Sequence, residues 1–268
     1  MNEQPRVAVA TVVTGEAAEK LDYTFTSFAR CCRLPLYAFV LGTKLPEQRL
    51  PEIEYQLVAP TGQFSHLLRE VYFRRLELID ELPVDLVLVV DAYDVLCLQT
   101  LPPFSELLSG AALAGGPEHP ASRYILGQGY TSSFLNGGVM FWDVRASKQI
   151  REEIVARGRS RFRSVVDDQH CLNEVVFTRY YDRVRILPCQ FNYRCFLAPK
   201  GMRGWPTVEH LDGVMIYHNG TCIQMAKELT SIKAKASLAP LPQDERPLNS
   251  TEQLWRRLRT RFSRHIVR

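Results

Sequence analysis

The sequence predicts an α/β fold, a mostly parallel sheet flanked by helices, and three observations carry that expectation. Short, mainly apolar runs at Val7 to Val13 and Leu36 to Leu41, and the unbroken run Leu86 to Val90, have the length and continuity of strands buried on both faces. Between them lie segments whose apolar residues recur at helical spacing, and strands alternating with helices argue for a parallel sheet. Several runs end in acidic or polar residues or in glycine, at the strand tips where such sheets bind ligands.

Val7 to Val13 is the first strand, ending in a glycine-containing loop. In "EAAEKLDYTFTSFARCC", Leu21, Phe25 and Phe28 fall on one helical face. Leu36 to Leu41 is the second strand. "SHLLREVYFRRLELIDEL" reads as a long amphipathic helix with Ser65 as N-cap. Leu86 to Val90 is the third strand and runs into Asp91 and Asp94. "PFSELLSG" is a short helix, "AALAGG" a short strand, and "GVMFWDV" an apolar strand after a glycine-rich turn. "VDDQHCLNEVVFTRYY" is a turn feeding a helix, "RVRILP" a late strand and "GVMIYHNG" a final strand ending in His218. Residues 1–236 are thus expected to form one domain. The Pro- and Ala-rich stretch 237–249 reads as a linker, and 250–268 as a basic amphipathic C-terminal helix.

At 268 residues, with 46% hydrophobic and 23% charged residues, the chain can bury a sizeable core. The net charge of +4 is mild, and no nucleic-acid partner is expected from it. No run reaches the roughly 18 apolar residues of a membrane span. The N-terminus passes straight into a strand-like run, so a secretory signal is not expected. The seven cysteines are odd in number and lack a C-x-x-C pair, which fits reduced thiols and a cytoplasmic location. In the tail, Leu254, Leu258, Phe262 and Ile266 recur every four residues among arginines. That face either docks on the domain or lies on an anionic membrane surface, peripheral at its inner face.

Four clusters carry side chains fit for chemistry. Asp91 and Asp94 either cap a turn or converge on one divalent cation, since hard cations take carboxylate oxygens. His218 is either a structural histidine or an imidazole ligand. Asn136, Gly137 and Gly138 form a tight turn or allow a ligand close to the backbone. Asp167 and Asp168 open a helix, where acids are favoured in any case; one of two adjacent acids suffices for a cap, leaving the other for a pocket.

Taken in order, "VAVATVV", the Asp-x-x-Asp of "DAYD", "FLNGGVMFWD", "DDQHCLN" and "YHNG" resemble the nucleotide-sugar-dependent glycosyltransferases of GT-A type. The pattern looks most like the glycosyltransferase domain of the procollagen lysyl hydroxylases (procollagen galactosyltransferase/glucosyltransferase), from about Val7 to Thr221, and more distantly like glycogenin-like retaining enzymes. The resemblance implies a Rossmann-like GT-A fold and transfer of glucose or galactose from a UDP-sugar to a glycan or protein-linked hydroxyl, with retention. It implies that Asp91, Asp94 and His218 hold Mn²⁺, with Mg²⁺ as the alternative, and that Thr11, Val12 and Val13 border the uridine. It also implies that Tyr93 adjoins the nucleotide, that Asn136, Gly137 and Gly138 line the donor sugar, and that Asp167 and Asp168 face sugar and acceptor. Lys227, Arg69 and Arg74 are weaker candidates for the phosphates. The iron-dependent hydroxylase module of the lysyl hydroxylases has no counterpart here, so neither hydroxylation nor a collagen acceptor is implied. Two other readings fit the same architecture: a nucleotidyltransferase, and a non-catalytic relative that binds a sugar nucleotide or a protein.

Overall fold

A computed structural model describes residues 4–15, 21–63, 67–92, 95–117, 135–161, 167–193 and 213–218. The expected 237–249 linker and 250–268 helix, with Ser65, Tyr93, Asp94 and Lys227, lie outside the described residues.

Strand β1 (Val7–Thr14) is followed by helix α1 (Asp22–Cys32) and strands β2 (Leu36–Leu41) and β3 (Ile53–Val58). Helix α2 (Leu67–Leu78), extended by a 3₁₀ turn at Ile79–Glu81, leads into β4 (Leu86–Val90) and β5 (Val95–Cys97). Then come α3 (Phe104–Leu108), β6 (Leu113–Pro117), β7 (Leu135–Asp143), α4 (Lys148–Arg161), α5 (Asp167–Arg179), β8 (Val184–Ile186) and β9 (Ile216–His218).

Seven strands form one sheet in the order β3-β2-β1-β4-β7-β6-β8, while β5 and β9 pair separately. Neighbours run parallel at β3-β2, β2-β1, β1-β4 and β6-β8; β7 is antiparallel to both β4 and β6. The sheet is mixed but mostly parallel, as expected. Alternation along β4 explains its unbroken apolar run. Val87 and Val89 face a core layer with Phe73 and Leu76 of α2, Ile150 and Ile154 of α4 and Leu172 of α5. Leu86, Leu88 and Val90 face the opposite layer with Phe25 and Phe28 of α1 and Phe104 of α3. Every one of these strand positions is buried, so every one must be apolar.

The "LNGG" segment corrects one expectation. It is the first part of β7 rather than a turn before it, and neither Gly137 nor Gly138 has positive φ. Their lack of a side chain serves close approach, not a reversal of the chain. Among the described cysteines, Cys31, Cys32, Cys97 and Cys171 are free thiols.

Candidate functional site

The chain leaves β1 for β2 and β3 on one side and returns to β4 on the other, so the sheet's order reverses between β1 and β4. In an open α/β sheet the crevice at the carboxyl ends of such strands is where ligands bind. Asp91 follows Val90 at that point, and its backbone N–H donates to Gly138 O at 2.8 Å. Because β7 runs antiparallel to β4, its first residues, Asn136 to Gly138, arrive at the same end of the sheet. The closure is tight: a Cβ on Gly138 would lie 2.3 Å from Asp91 Oδ2 and 2.4 Å from His218 Cε1. Only glycine leaves room there for the carboxylate and the imidazole together.

His218 closes β9, and β9 pairs with β5 rather than with the main sheet, Val95 opposite His218. This small ribbon sets His218 Nε2 3.6 Å from Asp91 Oδ2. His218 is 2% exposed, whereas the Asp91 side chain keeps 30% of its surface. The pair therefore opens outward through the carboxylate.

Two further groups come from α2 and α5. Arg75 donates from Nη1 to Asp91 Oδ1 and from Nη2 to Asp168 Oδ2, both at 2.7 Å. Burial works against the guanidinium's charge, but the carboxylates of Asp91 and Asp168 outweigh it and raise its pKa above the ordinary value. For Asp168 burial dominates and raises the carboxyl from 3.8 to about 6, with Asp91 pushing the same way and Arg75 and the Gln169 N–H pulling it back. A buried carboxyl poised near neutrality in a crevice is the kind of group that active sites use. One cation between two carboxylates also leaves the cluster net negative, and a positively charged ligand is favoured there.

A chain of amides fills the floor. Asn136 Oδ1 accepts from Gly138 N–H at 2.9 Å, and Gln169 Oε1 accepts from Gly137 N–H at 3.1 Å and from Asn136 Nδ2 at 3.2 Å. Asn192 joins Asn136 to His218, through Nδ2 to Asn136 Oδ1 at 3.0 Å and through Oδ1 to His218 Nδ1 at 2.9 Å.

The expected residues Asp91, Asn136, Gly137, Gly138, Asp168 and His218 are thus brought together. Asp167 is the first residue of α5. Thr11, Val12 and Val13 sit on β1, with their side chains buried and the Thr11 hydroxyl bonded to Val90 O at 2.8 Å. Arg74 is paired with Glu77 away from the acids. Sequence reasoning overlooked Arg75, Gln169 and Asn192. Gln169 stands beside the doubled acids and was within reach; Arg75 and Asn192 give no local signal, since a helix-borne arginine reads as solvated and a loop asparagine as a turn.

A larger concavity, about 740 Å³, lies at the opposite end of the sheet, lined among others by Asp85, Asp143, Lys148 and Arg183. Its polar groups serve the local frame: Asp85 pairs with Arg6, Asp143 Oδ1 accepts from Ala146 N–H, and Arg183 donates to Ala146 O. The Asp91 cluster, with its raised carboxyl pKa and converging amides, is the candidate site.

The sequence matches no family model and no curated protein. Its fold is nonetheless that of solved GT-A glycosyltransferases. The galactosyltransferase LgtC, in complex with donor and acceptor sugar analogues, superposes with a TM-score of 0.59 at 19% identity, over 88% of this chain and 98% of that one. An active-site glutamine-to-glutamate variant of LgtC gives 0.56 at 17% identity over the same shares. The bifunctional glycosyltransferase WbbM gives 0.57 at 13% identity, over 89% of this chain and 53% of that one. The likeness is to the GT-A fold and does not single out the lysyl hydroxylase type within it.

Proposed function

We propose that this protein is a metal-dependent glycosyltransferase that moves a hexose, glucose or galactose, from a UDP-sugar to a hydroxyl of a glycan or glycoprotein. The observation that carries the proposal is the pairing of Asp91 Oδ2 and His218 Nε2, 3.6 Å apart at the switch point of a GT-A fold, over a glycine that any side chain would crowd out. The donor set fits a divalent cation. A carboxylate oxygen and an imidazole nitrogen face one another, and carboxylate with imidazole suits Mn²⁺. Among the described residues no third His, Cys, Asp or Glu completes the shell; Asp94 and the donor's own phosphates are assigned that part. Asp91, Asp94 and His218 would hold the ion, which would neutralise charge on the departing diphosphate.

The remaining groups act on the sugar. Arg75 fixes the orientation of Asp91 and Asp168 with one hydrogen bond to each. Asp168 faces the reacting centre as a carboxylate above pH about 6 and stabilises positive charge developing at the anomeric carbon. Gln169 turns its oxygen to the β7 backbone and to Asn136, and so holds the floor of the site beside Asp168. One of the similar structures carries an altered active-site glutamine, which makes Gln169 the natural residue to examine beside the acids.

Transfer breaks the bond from the anomeric carbon to the β-phosphate oxygen and forms one to the acceptor oxygen on the same face. The acceptor's proton goes to the departing phosphate, UDP is released and configuration is retained. The C-terminal segment is assigned either to docking on the domain or to an anionic membrane face, with the enzyme cytoplasmic.

The test is release of UDP from UDP-glucose and UDP-galactose with Mn²⁺ and a panel of glycan acceptors. Asp91→Asn should lower turnover at least 100-fold, as removal of a metal-bound charge costs several kcal/mol. Full activity of that variant, or release of pyrophosphate instead of UDP, would overturn the proposal.

A further inference from the structure

The orientation of each amide on the floor of the site is dictated by two backbone N–H groups, which can only donate. Gly138 N–H lies 2.9 Å from the Asn136 side chain, so the Asn136 atom facing it must be the oxygen. That oxygen also lies 3.0 Å from an Asn192 side-chain atom, which must therefore be the nitrogen donor. The Asn192 oxygen is then the atom 2.9 Å from His218 Nδ1, and an acceptor there requires the proton on Nδ1. At the other end Gly137 N–H forces Gln169 to present its oxygen, which agrees with a donor nitrogen on Asn136. Both ends give the same assignment. Asn136 and His218 are 2% exposed and Asn192 1%, so no bulk water competes for these bonds.

We infer that Asn192 is a positioning residue that locks His218 in the Nδ1–H tautomer and so aims the Nε2 lone pair at the Asp91 carboxylate. The inference rests on the reading of Asp91 and His218 as a cation site, and it says why that site is built as it is. In this tautomer two acceptors face each other at 3.6 Å, which is unfavourable until an electrophile lies between them. Without Asn192, a neutral imidazole would gain by moving its proton to Nε2 and donating to Asp91. That tautomer would close the site against a cation, since a metal-binding histidine needs its other nitrogen held by an outer partner.

The fold makes room for this residue. Asn192 follows the 3₁₀ turn Cys189–Phe191, and its neighbour Tyr193 is tied to the β9 strand by Tyr193 N–H to Ile216 O and His218 N–H to Tyr193 O, both 2.9 Å. On its other side Gly116 of β6 comes so close that a Cβ there would lie 2.6 Å from Asn192 Cβ. Gly116 thus does for Asn192 what Gly138 does for Asp91.

The experiment is ¹⁵N long-range NMR of metal-free protein at a pH where imidazoles are neutral, with His218 assigned by comparison with His218→Gln, and Mn²⁺ affinity measured separately by electron paramagnetic resonance. Wild type should carry the His218 proton on Nδ1. Asn192→Leu should shift it to Nε2 and weaken Mn²⁺ binding about 10- to 100-fold. Asn192→Asp still accepts from Nδ1–H and should keep the tautomer, at a cost in stability because its second oxygen replaces the Nδ2 donor to Asn136 Oδ1. A purely structural residue would destabilise the fold in both variants without moving the proton. A wild-type proton on Nε2, or an unchanged tautomer in Asn192→Leu, would overturn the inference; the wild-type spectrum decides even if a variant fails to fold. Wild-type protein with the Nδ1–H tautomer that binds no Mn²⁺, with or without UDP, would leave the positioning role standing and overturn the metal assignment instead.

Discussion

At the scale of single residues, the site is a set of conflicts resolved by geometry. Asp168 is the clearest. Its carboxyl is raised to about 6 chiefly by burial, so between the unfolded value of 3.8 and about 6 the folded protein binds the extra proton. Stability must then fall as pH rises through that window and level off above it. At about 1.4 kcal/mol per unit the whole effect is on the order of 3 kcal/mol. Urea midpoints of wild type and Asp168→Asn from pH 4 to 7.5 should converge at the acid end and separate in favour of the amide above pH 6. Parallel curves would remove Asp168 as the titrating group. The two adjacent glycines make a second contrast. Ala at 138 meets Asp91 Oδ2 at 2.3 Å and His218 Cε1 at 2.4 Å, whereas Ala at 137 meets Arg75 Nη2 at 3.1 Å, the far end of a long side chain. Gly138→Ala should therefore abolish measurable Mn²⁺ binding and cost about 1–3 kcal/mol, while Gly137→Ala should leave metal binding nearly intact. Equal losses in both would return "LNGG" to a backbone role.

At the scale of elements, what was legible from the sequence depended on burial. Strands β2 and β4 are apolar throughout and β1 nearly so, because both their faces are covered, and they stood out at once. Strand β3 was missed because it is an edge strand with exposed Glu54 and Leu57 breaking its pattern. Strand β5 is three residues long and follows directly on the Asp-x-x-Asp sequence. Helix α4 was missed for another reason: half of "KQIREEIVARGRSR" is charged, and its contribution to the core rests on Ile150, Ile154 and Val155. Its Gly158 reads as a helix breaker but is a contact surface, since a Cβ there would lie 2.1 Å from the ring of Phe73, itself fully buried on α2. Two effects oppose each other in Gly158→Ala. Helix propensity favours alanine by about 1 kcal/mol; overpacking a closed core costs about 1–3 kcal/mol. A 2.1 Å approach to a ring with nowhere to move makes the second larger, so the variant should melt lower. A raised melting temperature would mean that α2 and α4 separate easily. The site was legible in its acids, glycines and terminal histidine, whose residue types are costly to bury without a use. Its amides and Arg75 were not, because Arg75 and Asp168 are 93 positions apart and only the folded sheet brings them together.

At the scale of the whole molecule, two buried arginines divide the work between the ends of the sheet. Arg75 stands at the carboxyl end of β4 and joins Asp91 to Asp168. Arg151 stands at the opposite end, 2% exposed, donating to Ser147 Oγ at 3.0 Å, Leu76 O at 2.5 Å, Val144 O at 2.8 Å and Asp80 Oδ1 at 2.6 Å. It ties the end of α2 to the exit of β7 and the start of α4, and so joins the first half of the chain to the second where no ligand group lies. The two are chemically alike, each a buried guanidinium fork bonded to two or more acceptors, and loss of either leaves those acceptors without their donor. Removing one partner of such a buried pair costs about 3–5 kcal/mol. Arg151→Met and Arg75→Met should therefore destabilise to a similar degree. They should differ in function. Arg151→Met, assayed below its melting temperature, should keep wild-type kcat and donor KM per folded molecule. Arg75→Met should lose at least 100-fold in kcat, because Asp91 and Asp168 lose the group that orients them and its partial neutralisation of their charge. Stability from urea unfolding and kcat per folded molecule separate the two effects. If Arg151→Met slowed turnover as much as Arg75→Met, catalysis would depend on the rigidity of the whole sheet rather than on the cluster at its tip.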